Sequence, residues 1–393
     1  MITVLNPTPS PKISLHWQSE EHVFGNGSNY FQALIEDINQ AEQSIDLETY
    51  IFDRDVLGKR IADALCRAAE RGVVVRVLVD GAGSPLWSAT LARTLEKSGV
   101  KTKVFHPFPW QLWSWSRTIA IKPALFKAVY LFFKANSRNH RKTCLIDQKI
   151  GYIGSINITQ CHLTREEGGK NWRDTAVRLN NVNLSELSKA FEIAWSHRTI
   201  KERLRDAFQH IRKEPRMRLN YTRHRRRILH KNLLRRIRLC QRRIWITNAY
   251  FVPDNFLLKR LKEAAKIGVD VRILLPQKSN ITIVQWASST FYFNLLKAGI
   301  KIYEYSPGML HAKSLILDDW MLIGSSNLNH RSLLHDLEAD ITLFTESAKR
   351  ALEQLFMEDL THAKQLQFER WKLVQPFHQR ILGRLALYLK YWI

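Results

Sequence analysis

The sequence has no long run of apolar residues. No stretch approaches the ~18 consecutive apolar residues that a membrane-spanning helix requires. The first 18 residues carry three prolines and no apolar segment of the kind that forms the core of a signal peptide. We therefore expect a chain that is either soluble or lies on a membrane surface.

Cysteine and acidic residues are also scarce. The four cysteines are not spaced as metal ligands, which predicts free thiols in a reducing compartment; they are Cys66, Cys144, Cys161 and Cys240. Only 36 Asp and Glu oppose 60 Lys and Arg, so the net charge is +24. Such an excess predicts attraction to a polyanion, either nucleic acid or an anionic membrane surface.

What the sequence does have is an internal repeat of about 200 residues. Strand patterns end near Tyr50 and Tyr250, and each is followed by an amphipathic helix and then by an apolar strand. This alternation predicts an α/β unit with a largely parallel sheet, present twice. The predicted helices cover residues 57–71 and 257–266, and the predicted strands cover 73–79 and 269–275.

The repeat also sets the domain organisation that we expect. With 45% hydrophobic residues, the 393-residue chain can form two cored domains. We predict an N-terminal extension (1–20), a first domain (21–212) with an insert (108–139), a second domain (213–365) and a C-terminal tail (366–393).

One motif recurs at the same place in both halves. It is a His-x-Lys triplet, then Asp after four residues, then Gly-Ser-x-Asn. A single match to the first three fixed residues arises by chance about once in 8,000 positions, so two matches in a repeat are not accidental. The second copy has one residue fewer between Asp and Gly, which predicts a hairpin turn shortened around 318–320. The members are His140, Lys142, Asp147, Ser155 and Asn157, then His311, Lys313, Asp318, Ser325 and Asn327.

These residues suit chemistry on a phosphate group. Residues i and i+2 of a strand point to one face, so His140 and Lys142 should project together, as should His311 and Lys313. The lysines, with Ser155, Asn157, Ser325 and Asn327, can bind a phosphoryl group, while one His attacks phosphorus and the other protonates the leaving alcohol. No further ligand types recur at metal spacing, so we expect no metal and no cofactor.

The duplicated motif resembles the HKD motif of the phospholipase D superfamily, over about residues 20–365. The resemblance implies two pseudo-twofold-related α/β sandwich domains that share one active site at their interface, and a two-step transfer through a phosphohistidine. It points to Asp174 and Glu338 as the carboxylates that orient the histidines, and by analogy favours His140 as the nucleophile. Asp147 and Asp318 belong to the catalytic motif, and we expect them to brace it.

The flanking segments suggest the substrate. The insert and the tail mix aromatic and basic residues, which is typical of segments that lie at a membrane interface; each could instead cap the core. Residues 223–243 are rich in arginine and fit nucleic acid, anionic lipid or a solvated helix face.

Within the superfamily the chain most resembles bacterial cardiolipin synthases of the type without N-terminal membrane spans, in the sequences around 48–52, 80–84, 248–251 and 324–328. The resemblance implies phosphatidyl transfer between two phosphatidylglycerol molecules by a peripheral enzyme on the cytoplasmic face of the bacterial inner membrane. The alternatives are a phospholipase D acting with water or another alcohol, a nuclease, and a lipid-binding protein without activity. The sequence favours an anionic membrane over nucleic acid as the partner. It leaves open phosphatidylethanolamine as the donor, and the oligomeric state.

Overall fold

The computed structural model describes residues 20–118, 123–196, 215–369, 371 and 377–388. Residues 1–19 of the predicted N-terminal extension lie outside the described residues, as does the predicted domain boundary at 212–213.

The first half forms a seven-stranded sheet. Its strands are β1 (Glu21–Phe24), β2 (Ser44–Thr49), β3 (Val74–Asp80), β4 (Lys101–Phe105), β5 (Thr143–Ile146), β6 (Ile150–Gly154) and β7 (Ala176–Asn180). They lie in the order β1-β7-β6-β5-β2-β3-β4. The helices are α1 (Gly27–Gln40), α2 (Val56–Glu70), α3 (Leu91–Lys97), α4 (Ala124–Phe133) and α5 (Ser185–Trp195).

The second half forms an eight-stranded sheet. Its strands are β8 (Met217–Leu219), β9 (Arg243–Thr247), β10 (Asp270–Pro276), β11 (Lys301–Tyr305), β12 (Ser314–Leu317), β13 (Trp320–Gly324), β14 (Ala339–Thr342) and β15 (Ala363–Gln365). They lie in the order β15-β11-β10-β9-β12-β13-β14-β8. The helices are α6 (Arg223–Leu239), α7 (Asn255–Lys266), α8 (Thr282–Lys297), α9 (His330–Leu334), α10 (Glu346–Thr361) and α11 (Phe377–Tyr388).

Matching caps explain why the two halves repeat the same helix. Asp55 accepts a hydrogen bond from the Gly58 N–H at the start of α2, and Asp254 accepts one from the Leu257 N–H at the start of α7. Both helices are followed by a glycine with a positive φ, at Gly72 (93°) and Gly268 (90°), a conformation that strains other residues. The chain then turns directly into the strand behind each helix.

Both sheets are mixed, so the prediction of a largely parallel sheet was wrong. Neighbouring strands pair in parallel only within β2, β3 and β4, and within β9, β10 and β11. The strand after each His-x-Lys triplet instead forms an antiparallel hairpin, β5 with β6 and β12 with β13. A connection of two or three residues joins only antiparallel strands, because a parallel crossover needs a dozen or more.

The hairpins also explain the unequal motif spacing. Residues 147–149 join β5 to β6, whereas residues 318–319 alone join β12 to β13. The missing residue is therefore absorbed by the turn, as the sequence predicted, and Gly154 and Gly324 both lie at the ends of their strands.

The two sheets pack face to face and bury a core that both halves share. Ile153 and Val177 from the first sheet lie in one buried cluster with Ile323 and Ile341 from the second. Two further cores lie under the helices on the outer faces, one in each half. The result is a helix–sheet–sheet–helix sandwich, in which the middle layers bring the two motif copies together.

The insert and the tail contribute exposed apolar surface. In the insert, Leu131 is fully buried, but many neighbours are exposed. We name the exposed set the apolar rim; it comprises Trp110, Leu112, Trp113, Phe126, Val129, Phe132 and Phe133. Lys127 carries its ammonium over the Trp115 ring, while Lys122 lies outside the described residues.

The described part of the tail is both packed and exposed. Helix α11 contacts α8 so closely that a Cβ at Gly383 would lie 2.5 Å from the Trp286 carbonyl oxygen. Ala386 is buried there, whereas Ile381 and Leu385 are exposed. Residues 372–376 and 389–393, which include Leu373 and Leu389, lie outside the described residues. Within the part of the chain that is described, no helix has both the length and the apolar character needed to span a bilayer.

Candidate active site

Backbone hydrogen bonds across the two halves position the two His-x-Lys triplets. The His140 N–H donates to the Leu337 carbonyl at 2.9 Å, and the His311 N–H donates to the Arg173 carbonyl at 2.8 Å. Each triplet is thus an extended segment just before its strand, paired with a segment from the opposite half. The residue that follows each acceptor is a carboxylate, Glu338 or Asp174, which therefore faces the histidine of the other half.

The two histidines are oriented by these exchanged carboxylates. His140 Nδ1 lies 3.1 Å from both carboxylate oxygens of Glu338, and His311 Nδ1 lies 2.8 Å from Asp174 Oδ2. An ionised carboxylate only accepts hydrogen bonds, so His311 Nδ1 donates to Asp174, and His140 Nδ1 donates to Glu338 when Glu338 is ionised; Nε2 of each ring is then without a proton.

The motif serines stand behind the carboxylates. The Ser155 hydroxyl donates to Asp174, and the Ser325 hydroxyl donates to Glu338. Both serines are fully buried, and a hydroxyl has a single proton to donate. The proton of each hydroxyl is thus used on the carboxylate, and a phosphate contact by these two serines stays a prediction.

A third histidine breaks the symmetry of the site. The Asn157 backbone N–H donates to His162 Nε2 at 3.3 Å, so the proton of the neutral ring is on Nδ1, which lies 3.4 Å from Asp174 Oδ2. At the equivalent place in the second half, the Asn327 N–H donates to a serine, Ser332, which also bonds to Glu338. Asp174 therefore has a histidine on each side, whereas Glu338 has one.

Both motif lysines are buried beside the histidines. Lys142 Nζ donates to the His140 carbonyl at 2.6 Å, and Lys313 Nζ lies 2.8 Å from His311 Nε2. Burial lowers the pKa of Lys142 to about 8 and that of Lys313 to about 7. A bound phosphate would compensate the burial and restore both charges.

Burial and the lysine charges favour the neutral form of both histidines. Burial and Lys142 hold the pKa of His140 well below its usual range, and burial with Lys313 lowers the pKa of His311 to about 3. The carboxylates differ from each other. Burial raises the pKa of Glu338 to about 7, while His311 and Lys313 outweigh the burial of Asp174 and hold its pKa well below the usual range.

The histidines open into a cavity of about 300 Å³ at the junction of the halves. Asn157 and Asn327 line it as well. The Asn157 side-chain oxygen accepts the Ile51 N–H at 3.2 Å, whereas the buried Asn327 side-chain oxygen has no hydrogen-bond partner. The Asn327 side-chain oxygen is therefore an unused acceptor at the cavity.

Asp147 and Asp318 do not reach this cavity. Asp147 accepts hydrogen bonds from the backbone N–H groups of residues 42–44, and Asp318 accepts them from those of residues 241–243. Each Asp joins the hairpin turn to the beginning of the neighbouring strand at the far end of the sheet. Their effect on chemistry stays a prediction.

Sequence reasoning missed several side chains of the cavity. Tyr50 and Tyr250 pack edge-on against His140 and His311, at ring distances of 5.1 and 5.9 Å. Their equal position in the repeat was a signal for this role. Trp172 and Arg331, which also line the cavity, occur in only one half each, so the repeat gave no signal for them.

Part of the arginine-rich segment is used inside the protein. Arg225 is buried and donates to the Leu219 carbonyl, and Arg243 forms an ion pair with Glu353. The segment is therefore only partly available as a nucleic-acid surface.

Two solved structures share this fold over most of the chain. The phosphatidylserine synthase of Haemophilus influenzae Rd KW20 superposes with a TM-score of 0.67, covering 95% of both chains at 13% identity. The polyphosphate kinase of Porphyromonas gingivalis gives a TM-score of 0.57, covering 90% of this chain and 54% of the kinase at 14% identity. At such low sequence identities, the similarity shows a shared fold only.

Proteins of similar sequence show the family of this chain. The family model described as cardiolipin synthase, PLD-like domain, matches residues 34–195 and 233–360. A cardiolipin synthase of Geobacillus sp. (strain WCH70) is 33% identical over 94% of this chain and 71% of its own length. Cardiolipin synthase 2 of Bacillus anthracis is 31% identical over 95% of this chain and 69% of its own length. The chain belongs to the phospholipase-D-like cardiolipin synthase family.

Proposed function

We propose that the protein is a cardiolipin synthase that transfers a phosphatidyl group from one phosphatidylglycerol to another. The observation that carries the proposal is the pair of neutral histidines, each oriented at Nδ1 by a carboxylate from the opposite half, beside two buried lysines. This arrangement suits a double displacement at one phosphorus atom. The naming of relatives as cardiolipin synthases supports the choice of lipid.

In the first step, His140 Nε2 attacks phosphorus and the bond to the headgroup glycerol breaks, while His311 gives its Nε2 proton to the leaving oxygen. The anionic phosphodiester favours protonation of His311 on binding. In the second step, a hydroxyl of another phosphatidylglycerol loses its proton to His311 and attacks phosphorus, and the phosphorus–nitrogen bond breaks. The products are cardiolipin and glycerol.

The unequal carboxylates support this division of roles. Asp174, whose pKa is held well below its usual range, stabilises a protonated histidine. It therefore suits His311, which gives up a proton in the first step and takes one in the second. The partner of His140 is Glu338, whose pKa is raised by burial, so His140 gains a proton less readily and remains a nucleophile. Lys142, Lys313 and the two cavity asparagines hold the phosphate oxygens.

The proposal is tested with purified protein and phosphatidylglycerol vesicles, by thin-layer chromatography and mass spectrometry. We expect cardiolipin and free glycerol from the wild type and from His362→Ala, a control that removes an exposed histidine. Neither product should form with His140→Ala or His311→Ala. Phosphatidic acid without cardiolipin would identify a hydrolase, and cleavage of single-stranded DNA without lipid turnover would identify a nuclease.

A substrate with a nitrophenol leaving group separates the two roles, since nitrophenol needs no protonation to depart. His311→Ala should then release one equivalent rapidly and keep a phosphatidyl adduct on His140. Release by His140→Ala instead would reverse the assignment.

We also propose that the protein works on the cytoplasmic face of an anionic membrane, which the apolar rim and the charge of +24 support. Phe132→Ser with Phe133→Ser should reduce flotation with phosphatidylglycerol vesicles, because both side chains are strongly exposed. Ile267→Ser removes an equally exposed apolar side chain outside the rim and should leave flotation unchanged. Equal flotation of all three proteins would contradict the proposal.

A further inference from the structure

The duplicated motif builds a nearly symmetric site, but one cation in it has no counterpart. Four residues after the motif asparagine, the first half has Cys161 and the second half has Arg331. Arg331 lines the catalytic cavity together with both histidines, and Cys161 does not. The repeat therefore supplies two lysines for one phosphate, and the second half adds an ion pair, Arg331 with Asp336, both of which line the cavity.

Arg331 is held in place by the segment that also fixes the site. It lies on α9, whose N-terminus is capped by Asn329, and its Nε donates to Asp336 Oδ2 at 2.9 Å. The other oxygen of Asp336 accepts the Arg138 backbone N–H at 3.1 Å, so the ion pair is anchored to both halves. The Arg331 side chain remains 25% exposed.

The guanidinium is close enough to act on the reacting groups. Its charge lowers the pKa of His140, after the larger effects of burial and the two lysines, and it also acts on Tyr50. A guanidinium presents a planar set of N–H donors that matches phosphate, and it keeps its charge when buried. Arg331 thus lies where a second phosphate could be held beside the first.

The proposed reaction requires such a second phosphate. The donor places one phosphate between the histidines, and the acceptor phosphatidylglycerol carries its own phosphate on the glycerol that attacks. Water and simple alcohols attack the same intermediate without any phosphate. We propose that Arg331 binds the phosphate of the acceptor phospholipid and so selects a phospholipid over water; this rests on the proposed function.

The buried Asn327 side-chain oxygen fits the same acceptor. It lines the cavity and has no hydrogen-bond partner, so it can accept a hydrogen bond from a hydroxyl of the acceptor headgroup. The second half then supplies both contacts to the acceptor, one to its phosphate and one to its glycerol.

The test is a competition between acceptors on phosphatidylglycerol vesicles that contain 1-butanol. Cardiolipin, phosphatidylbutanol and phosphatidic acid are quantified together, so each variant reports its own partition ratio. Arg331→Gln should lower the ratio of cardiolipin to phosphatidylbutanol by about tenfold or more, the scale of a charge-assisted hydrogen bond. Arg331→Lys keeps the positive charge but lacks the planar set of N–H donors. Its ratio of cardiolipin to phosphatidylbutanol should lie between those of the wild type and Arg331→Gln. Arg242→Gln removes an exposed arginine distant from the cavity and should match the wild type.

Three results would overturn the proposal. One is a ratio for Arg331→Gln within about twofold of the wild type, less than a single hydrogen bond contributes. Another is an equal loss of cardiolipin and phosphatidylbutanol, which would mean that Arg331 acts in the first step, the formation of the phosphatidyl-histidine. If the wild type forms phosphatidylbutanol but no cardiolipin, the proposed function fails as well, and the two failures are thereby distinguished.

Discussion

The motif aspartates should control stability rather than chemistry, and this prediction can be worked out from their contacts. Asp147 accepts three backbone hydrogen bonds of 2.7–3.0 Å, and Asp318 accepts three of 2.9–3.0 Å. Both turns place the Asp at a positive φ, 51° and 50°, which Asp tolerates better than most residues. The perturbation is Asp147→Asn or Asp318→Asn, which keeps the shape and one acceptor oxygen and removes the charge.

The expected loss is modest because the carboxylates are partly exposed. A hydrogen bond to a charged group contributes about 1.5–3 kcal/mol when buried, and solvent screening reduces this, so each variant should lose about 1–2 kcal/mol of unfolding free energy. The apparent Tm should fall by about 1–3 °C. Five residues of extended chain, about 16 Å, separate Asp147 from Lys142, so kcat should stay within about twofold of the wild type.

The pH dependence of this difference has a defined sign. Burial would raise the pKa of Asp147 and of Asp318, but the three backbone N–H groups outweigh it and lower both values. A depressed folded-state pKa stabilises the protein above the unfolded pKa of about 3.9, and the stabilisation is lost as pH falls through the folded value. The difference between wild type and variant should therefore be constant from about pH 7 to 5 and narrow only below about pH 4.

Thermal unfolding and initial rates on vesicles, measured on the same preparations, provide the assay. A loss of kcat of about tenfold or more, with Tm unchanged, would refute the reasoning, because about 1.4 kcal/mol would then act on the transition state and not on the fold.

Two further predictions concern the cavity. Because the pKa values of Lys313 and Lys142 lie at about 7 and about 8, kcat/KM should fall above neutral pH as the free enzyme loses the charges that bind phosphate. The decrease in kcat should occur at a higher pH than the decrease in kcat/KM, because bound phosphate favours the ammonium form of the lysines. If both decreases occurred at the same pH, these lysines would not be phosphate ligands. His162→Ala should lower kcat by about tenfold, because the buried Asn157 N–H loses its acceptor at His162 Nε2 and Asp174 loses the ring that packs beside it. His162→Asn offers a side-chain oxygen that can accept this N–H and should recover part of the rate with KM unchanged; equal rates for both variants would mean that His162 only fills space.

The sequence alone determined the elements that depend on local pattern. Periodicity placed the helix before Gly72 and the helix before Gly268 to within about two residues, because the amphipathic face is encoded within one segment. The two motif copies identified the histidines and lysines in the same way, since their spacing is a local property. The turn around Asp318 was also predicted correctly, because the number of residues between the motif positions gives the length of the hairpin loop directly.

Only the tertiary structure decided how those residues are combined. His311 and Asp174 are 137 positions apart, and His140 and Glu338 are 198 apart, so the exchange of carboxylates exists only when the two sheets pack together. The same packing turns the motif serines toward the carboxylates and brings Arg331 to the same cavity as His140. The order of strands also depended on it, since short hairpins next to parallel crossovers give a mixed sheet that local periodicity cannot distinguish from a parallel one. Contacts across the interface depend on the free energy of the whole sandwich, and no single segment of the sequence encodes them.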